Sequence, residues 1–457
     1  MKKSNCLRWI FSLSLSCLVF FTSAEDVYLS STVVNTTNNL TEGKSIVDPF
    51  TPYLNSVPRI TQLISEVNSG SGISAITTRK FTFSSKGGVN TIYAIMAYPQ
   101  QAGIYPALMC LHGGGSNANA LLNLVQRYAQ KGYVTISIDL PGICDNNTTP
   151  YTTGPFKSRP FNEASRLNVS VGPLSSILVD AEVAGLEAFN YMRSLKNVDA
   201  EKMGITGYSW GGYSTTMLSG LLGDKVKAAY SVFGSGFYDK GTKWKTSIEL
   251  MPEADRNVWL TYLDAGRRAS NMKAAYFIEC ETNDTYFWPE AVEATLKAVP
   301  GVTNHSYGPN RNHKQLPSGG NMQQLYFDYY LKGIGQPFVT VNIPKTEVLL
   351  DGNCKLTISI DAPTGVTMDS VNLYYSEKAI DWQIRVWKIL LTKPQSDGTY
   401  NVVIPAELVA KSIDYFIYAK DNRTVVTGSY MFSTASKVIY RSSIRNDSPV
   451  PLLEPKL

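Results

Sequence analysis

The stretch Gly207-Tyr208-Ser209-Trp210-Gly211-Gly212 decides how this 457-residue chain is read. It follows the apolar run 203–206 and leads into a helix-compatible run beginning at Tyr213. A strand that enters a helix through so short a turn needs small residues on both sides of the apex, because side chains there would strike the backbone. The apex residue is then held above the sheet edge. Here it is a serine, with the first N–H groups of the new helix beside it.

Strand and helix alternate on both sides of this turn. Runs 105–111 and 133–140 are densely apolar, as expected of parallel strands covered on both faces. Between them, Leu121, Leu124, Val125 and Tyr128 recur at helical spacing, and Gly132 ends the run. Helices are predicted at 175–195, 213–222, 290–298 and 322–332. Strands are predicted at 202–206, 226–232, 274–279 and 303–307. Two alternating strands, 76–83 and 91–98, precede them and turn at Lys86-Gly87-Gly88. This pattern predicts an α/β domain with a doubly wound, mostly parallel sheet over residues 75–335.

The flanks read differently. Residues 1–24 carry Lys2, Lys3 and Arg8, a short apolar stretch and the small residues Thr22-Ser23-Ala24, the pattern of a secretory signal peptide. The expected location is secreted or periplasmic, with no membrane span after signal removal. Residues 25–74 are polar and expected to form a leader, with a short helix near 57–67. After Gly335-Gln336-Pro337, short strands are predicted at 339–343, 355–360, 370–375, 384–391, 400–404 and 413–418. Residues 336–440 therefore read as a small all-β sandwich of immunoglobulin or fibronectin-III type, followed by a polar tail at 441–457.

Composition narrows the function classes. A net charge of +5 with 17% charged residues and no basic run argues against a nucleic-acid partner. Beyond the signal, Cys110, Cys144, Cys280 and Cys354 show no metal-type spacing. Cys110 and Cys280 lie in apolar strand runs and read as buried free thiols. A Cys110–Cys144 disulfide stays open for an exported chain.

Chemistry gathers at three further places. His112-Gly113-Gly114-Gly115 follows an apolar strand, and its glycines can bring backbone N–H groups close to a developing negative charge. No Walker lysine follows, so a phosphate cradle is the weaker reading. The chain has three histidines. His112 belongs to the glycine loop and His305 to a strand, whereas His313 lies in a loop after the last strand, where a general base can reach the serine. Asp284, in the loop after strand 274–279, is the acid expected to orient it. Glu281, Glu279 and Asp239 are its competitors. The order Ser209, Asp284, His313 suits a serine–histidine–acid triad on a strand–helix scaffold.

At these residues the chain resembles the α/β-hydrolase superfamily, in the branch of dienelactone-hydrolase-like proteins, acetyl xylan esterases and prolyl-oligopeptidase-type catalytic domains. Residues 197–207, Thr282-Asn283-Asp284-Thr285-Tyr286 and Asn310-Arg311-Asn312-His313 are similar to that branch's approach to the serine and its acid and base loops. The resemblance covers about residues 75–335. One departure stands out: dienelactone hydrolases proper use a cysteine nucleophile, and this chain has Ser209. The resemblance implies attack by Ser209, proton transfer to His313, and an oxyanion held by the N–H groups of Trp210 and Gly114. It implies no cofactor and no metal.

Two inserts, 143–173 and 238–267, are expected to shape the pocket, the second with Trp244 and Trp259. Tyr208, Tyr286 and Trp288 are candidate substrate contacts, since aromatic faces stack on sugar rings and apolar acyl groups. The expected substrate is a small ester or an acetylated polysaccharide. The alternatives are a serine peptidase of prolyl-oligopeptidase type, which lacks the usual preceding propeller here, and a catalytically dead scaffold that binds glycan. The acyl group, the oligomeric state and the role of the sandwich are left open by the sequence.

Overall fold

The computed structural model describes residues 47–378 and 381–434. The expected signal peptide, the first part of the leader and the polar tail lie outside the described residues.

Nine strands form the main sheet: β1 (Ile60–Ser69), β2 (Ile76–Ser85), β3 (Asn90–Pro99), β4 (Tyr105–Leu111), β5 (Val134–Ile138), β6 (Val198–Tyr208), β7 (Ala228–Val232), β8 (Ala275–Glu281) and β9 (Thr303–Gly308). Their spatial order is β1-β2-β3-β5-β4-β6-β7-β8-β9. The first four in that order are antiparallel, and the rest, from β5 to β9, run parallel. The chain places β5 on one side of β4 and then crosses back to put β6 on the other. Such a reversal opens a crevice at the carboxyl ends of the strands. The glycine loop after β4 and Ser209 after β6 both stand there.

The dense apolar strands are explained by two cores, one on each face. Ala107, Met109 and Leu111 of β4 enter one core with Leu178 and Phe189, while Leu108 and Cys110 enter the other with Val125 and Tyr128. Successive residues of a strand point to opposite faces, so neither face can be polar. The covering helices are α1 (Leu122–Gln130), α2 (Glu163–Leu167), α3 (Ile177–Arg193), α4 (Trp210–Leu222), α5 (Lys245–Glu249), α6 (Glu253–Tyr262), α7 (Ala265–Arg268), α8 (Pro289–Ala298) and α9 (Gly319–Phe327).

The leader differs from expectation. Residues 60–69 form an edge strand and not a helix, so the sheet begins before residue 75. Register shifts at Ile60/Gln62 and Leu63/Ser65 break the two-residue alternation. The apolar residues then fall at spacings that imitate a helix. Cys110, Cys144, Cys280 and Cys354 are all free and buried, so the Cys110–Cys144 bridge is not formed. Among the described residues, no helix is long and apolar enough to cross a membrane.

The C-terminal region is a sandwich of two antiparallel sheets. One holds Lys345–Val348, Cys354–Ile358, Tyr400–Ile404 and Lys393–Pro394; the other holds Lys388–Leu391, Met368–Glu377, Ile413–Asp421 and Val426–Gly428, with Phe432–Ser433 beside the third. Leu356, Ile358, Val402 and Ile404 meet Leu373, Tyr415 and Ile417 in their shared core. Two details depart from the expected strands. A short helix, Ala406–Ala410, interrupts the β pattern, and the run expected at 384–391 is a strand only over Lys388–Leu391. Residues 382–387 bond to the α/β domain instead. The sandwich also covers the outer edge of the main sheet. Val426–Gly428 lies alongside β9, and His305 Nε2 is 3.1 Å from the Ser429 carbonyl.

Candidate active site

Ser209 is the joint between β6 and α4, with φ 55° and ψ −115°. These angles mirror an ordinary extended conformation and are open to glycine but costly for a residue with a Cβ. The turn is over-determined around it. The Ser209 N–H donates to the Val232 carbonyl of β7 at 2.9 Å, and its own carbonyl accepts from the Tyr213 N–H at 3.0 Å. A Cβ on Gly207 would strike the Gly211 carbonyl, and one on Gly211 would strike the carbonyls of Leu111 and His112. The two flanking glycines are therefore steric requirements of the turn.

The glycine loop lies against this turn. A Cβ on Gly113 would sit 3.2 Å from the Tyr208 carbonyl oxygen, and one on Gly114 only 2.7 Å from Trp210 Cδ1. As the first residue of α4, Trp210 has no carbonyl four residues back within the helix for its N–H. His112 pins the loop from behind. Its Nδ1 donates to the Gly113 carbonyl at 2.8 Å, and its Nε2 accepts from the Leu140 N–H at 3.0 Å. Burial pushes this imidazole down to about 4, so it is a neutral clamp.

His313 and Asp284 come together. His313 Nδ1 donates to Asp284 Oδ2 at 2.7 Å, with His313 19% exposed and Asp284 1% exposed. The other carboxylate oxygen, Oδ1, accepts from the N–H groups of Tyr286 at 2.6 Å and Phe287 at 3.1 Å. The two loops are also tied directly: the Asn283 N–H donates to the Arg311 carbonyl, and the Thr285 N–H to Asn312 Oδ1.

The competing acids are placed elsewhere. Asp239 pairs with Arg267 through two bonds of 3.1 and 2.9 Å. Glu279 accepts from the Leu316 N–H and the Tyr230 hydroxyl, and burial pushes it up to about 7. Glu281 faces Arg311 at 3.5 Å, and burial with Glu279 nearby pushes it up to about 9. His305 points to the sandwich.

Ser209, His313, Trp210, Gly113, Gly114, Tyr208 and Tyr286 line one cleft of about 380 Å³. Both inserts reach it, as expected. The first supplies Phe161, Glu163 and Arg166, and the second Trp244. Trp244 stacks on Tyr286 with ring centres 5.7 Å apart and lies 5.1 Å from the Trp210 ring, giving an aromatic wall. Trp259 and Trp288 do not join it. Trp259 is fully buried in the core, and Trp288 caps the start of α8 and packs against that core.

Sequence reasoning missed Arg166 and Phe233. The Arg166 guanidinium sits 4.6 Å from the Phe161 ring centre and 5.2 Å from that of Trp210, and Nε donates to the Gly142 carbonyl. It is a buried cation beside the serine turn. Phe233, with φ 39°, stands with its ring 4.3 Å from the His313 ring. A positive φ on a bulky residue is rare and tends to mark a functional surround. Among the described residues, no cluster of side chains suits a metal ion.

Residues 92–276 match the dienelactone hydrolase family. That stretch contains the glycine loop and Ser209 and ends before Asp284 and His313. No curated protein matches the chain in sequence. Among solved structures, acetyl xylan esterase 1 from Thermoanaerobacterium sp. JW/SL YS485 is 17% identical, covering 61% of this chain and 91% of that one, with a TM-score of 0.49. An acetyl xylan esterase from Paenibacillus sp. R4 is 19% identical, covering 60% and 89%, with a TM-score of 0.47. An S-formylglutathione hydrolase from Agrobacterium tumefaciens is 14% identical, covering 59% and 100%, with a TM-score of 0.46. With its β6–Ser209–α4 turn and its sheet order, the chain has the α/β-hydrolase fold, and its stretch 92–276 is similar to the dienelactone hydrolase family.

Proposed function

We propose that this protein is an exported serine carboxylic-ester hydrolase that removes acetyl groups from a polysaccharide. One observation carries the reading: a serine held at φ 55° shares a cleft with a histidine whose Nδ1 is bound by a buried carboxylate. That is the apparatus of nucleophilic acyl transfer. Ser209 Oγ attacks the ester carbonyl carbon while His313 Nε2 takes the hydroxyl proton. The oxyanion is held by the N–H groups of Trp210 and Gly114. Collapse expels the alcohol, which takes the proton back from His313. Water then attacks the acetyl-serine, again through His313, and acetate leaves. Asp284 holds the imidazole in the required tautomer and stabilises its charged form.

Export rests on the residue pattern of 1–24. The glycan substrate is supported by the aromatic wall of Trp244 and Tyr286 beside the serine, since such faces stack on sugar rings. The test compares the mature protein with Ser209→Ala on p-nitrophenyl acetate, then on acetylated xylan and on proline-containing peptides. The expected result is acetate release that falls on the order of a million-fold in the variant. Equal traces from two folded proteins would overturn the serine mechanism. Peptide cleavage without acetate release would move the activity to a serine peptidase.

A further inference from the structure

The loops carrying Asp284 and His313 are not held by the hydrolase domain alone. Asn283, one residue before the acid, donates its Nδ2 to the backbone carbonyls of Arg385 at 2.6 Å and Gln383 at 3.2 Å. Asn310, in the base loop, makes a two-bond clasp with Trp387. Its Oδ1 accepts from the Trp387 N–H at 2.8 Å, and its Nδ2 donates to the Trp387 carbonyl at 2.8 Å. One segment of the sandwich, residues 383–387, thus grips both loops.

That segment is itself anchored. The Arg385 guanidinium bonds to buried Asp414 at 2.6 Å and lies 3.5 Å from the Trp382 ring centre. Trp382 Nε1 donates to Glu290 Oε1 on α8, and the Trp387 ring packs edge-on against Phe416. Asn310 has φ 58°, a left-handed conformation that asparagine adopts more readily than most residues.

We propose that the sandwich is a positioning element of the hydrolytic site, acting through Asn283 and Asn310 to fix the acid and base loops; this rests on the serine-hydrolase reading above. Asn283 and Asn310 are positioning residues. A sub-ångström shift of His313 relative to Ser209 is enough to slow proton transfer, and misplacement of about 1 Å can cost on the order of 100-fold in rate.

The experiment uses the full mature chain with Asn283→Ala, Asn310→Gly and Asn310→Asp. Glycine suits the positive φ but makes neither clasp bond; aspartate keeps the acceptor for the Trp387 N–H. Val402→Ala, in the sandwich core away from these loops, controls for loss of stability. Three quantities are read: kcat and KM on p-nitrophenyl acetate, the rate and final extent of Ser209 labelling by a fluorophosphonate, and Tm. The expected result is a roughly 10- to 100-fold fall in kcat for Asn310→Gly and Asn283→Ala, with KM changed less than about threefold. Labelling slows in proportion but reaches completion, and Asn310→Asp falls between parent and Asn310→Gly. Val402→Ala lowers Tm and keeps the parent kcat. Parent-like kcat and labelling in both asparagine variants would overturn the positioning role alone, as would an equal loss of kcat in Val402→Ala. A parent protein that neither hydrolyses ester nor labels at Ser209 would overturn the hydrolase reading and this inference with it.

Discussion

Asp284 has no free oxygen: Oδ2 takes the His313 Nδ1–H at 2.7 Å, and Oδ1 takes the N–H groups of Tyr286 and Phe287. Every neighbour donates, so this site suits a carboxylate and nothing that must itself donate. Asn at this position has to turn its NH2 toward one of those donors. Asp284→Asn is expected to lower kcat by on the order of 10⁴-fold with KM little changed. Asp239→Asn and Glu281→Gln should stay within a few-fold of the parent, because their carboxyls face arginines. Steady-state kinetics on one chromogenic ester checks all three, and a larger loss from Glu281→Gln would transfer the acid's role.

Ser209 holds a conformation that suits glycine. Ser209→Gly is therefore expected to abolish hydrolysis and yet raise stability. Relief of a strained backbone is worth about 1–3 kcal/mol. Glycine's larger entropy loss on folding returns about 0.5–1 kcal/mol of that. Chemical denaturation should show a net gain of about 1 kcal/mol, within a range of about 0–2.5 kcal/mol, over Ser209→Ala, which keeps the strain. A Ser209→Gly less stable than Ser209→Ala would mean that the turn stores no strain.

Gly114 leaves only 2.7 Å between its hypothetical Cβ and Trp210 Cδ1. Gly114→Ala must push the glycine loop and the indole apart, and with them the two N–H groups assigned to the oxyanion. Loss of one such donor costs about 10²–10³-fold in kcat. The expected signature is a fall of that size in kcat with completed Ser209 labelling and a small change in Tm. Unchanged kcat would remove Gly114 from the oxyanion site.

Buried acids give the fold an alkaline weakness. Glu281 is pushed up to about 9, Glu182 and Glu293 to about 8, and Glu279 to about 7, each chiefly by burial. Below these values each carboxyl holds its proton in the native state, and on unfolding it reverts to an ordinary carboxyl. Their contribution is complete below about pH 4.5 and is lost as pH rises through the native values. His112 and His305, pushed down to about 4, act oppositely and weaken the fold as pH falls below about 6.5. Of these six groups, the acids are the ones that act between pH 6.5 and 9. Tm should decline across that range, and more gently in Glu281→Gln. Parallel curves would show that Glu281 is ionised in the native state.

The legible and illegible parts of the site separate by how their information is carried. Ser209, Asp284 and His313 follow strands in chain order. The first two strands carry apolar runs because both their faces are covered, while β9, Thr-Asn-His-Ser-Tyr-Gly, is mostly polar and is placed by the strand–helix alternation around it. Arg166 lies in a short polar helix of an insert, and only the distant Gly142 carbonyl and the rings of Phe161 and Trp210 turn it inward. Edge strand β1 hid behind two register shifts. Trp288 read as a substrate contact because it follows the acid loop, but there its backbone starts α8. The sandwich was recognisable from turn-separated short strands. Its grip on the loops of Asp284 and His313 was not, since it runs through backbone groups of Gln383, Arg385 and Trp387, whose side chains do not make those bonds.

The clasp between Asn310 and Trp387 also sets a clock. All the residues that meet in the cleft have left the ribosome by His313, yet the segment that braces them is made later, after the first strands of the sandwich. A growing chain thus carries Ser209 for about half the length of a second domain before the His313 loop is secured. Hydrolytic competence would then arrive late in synthesis, when the carboxyl-terminal sheets close.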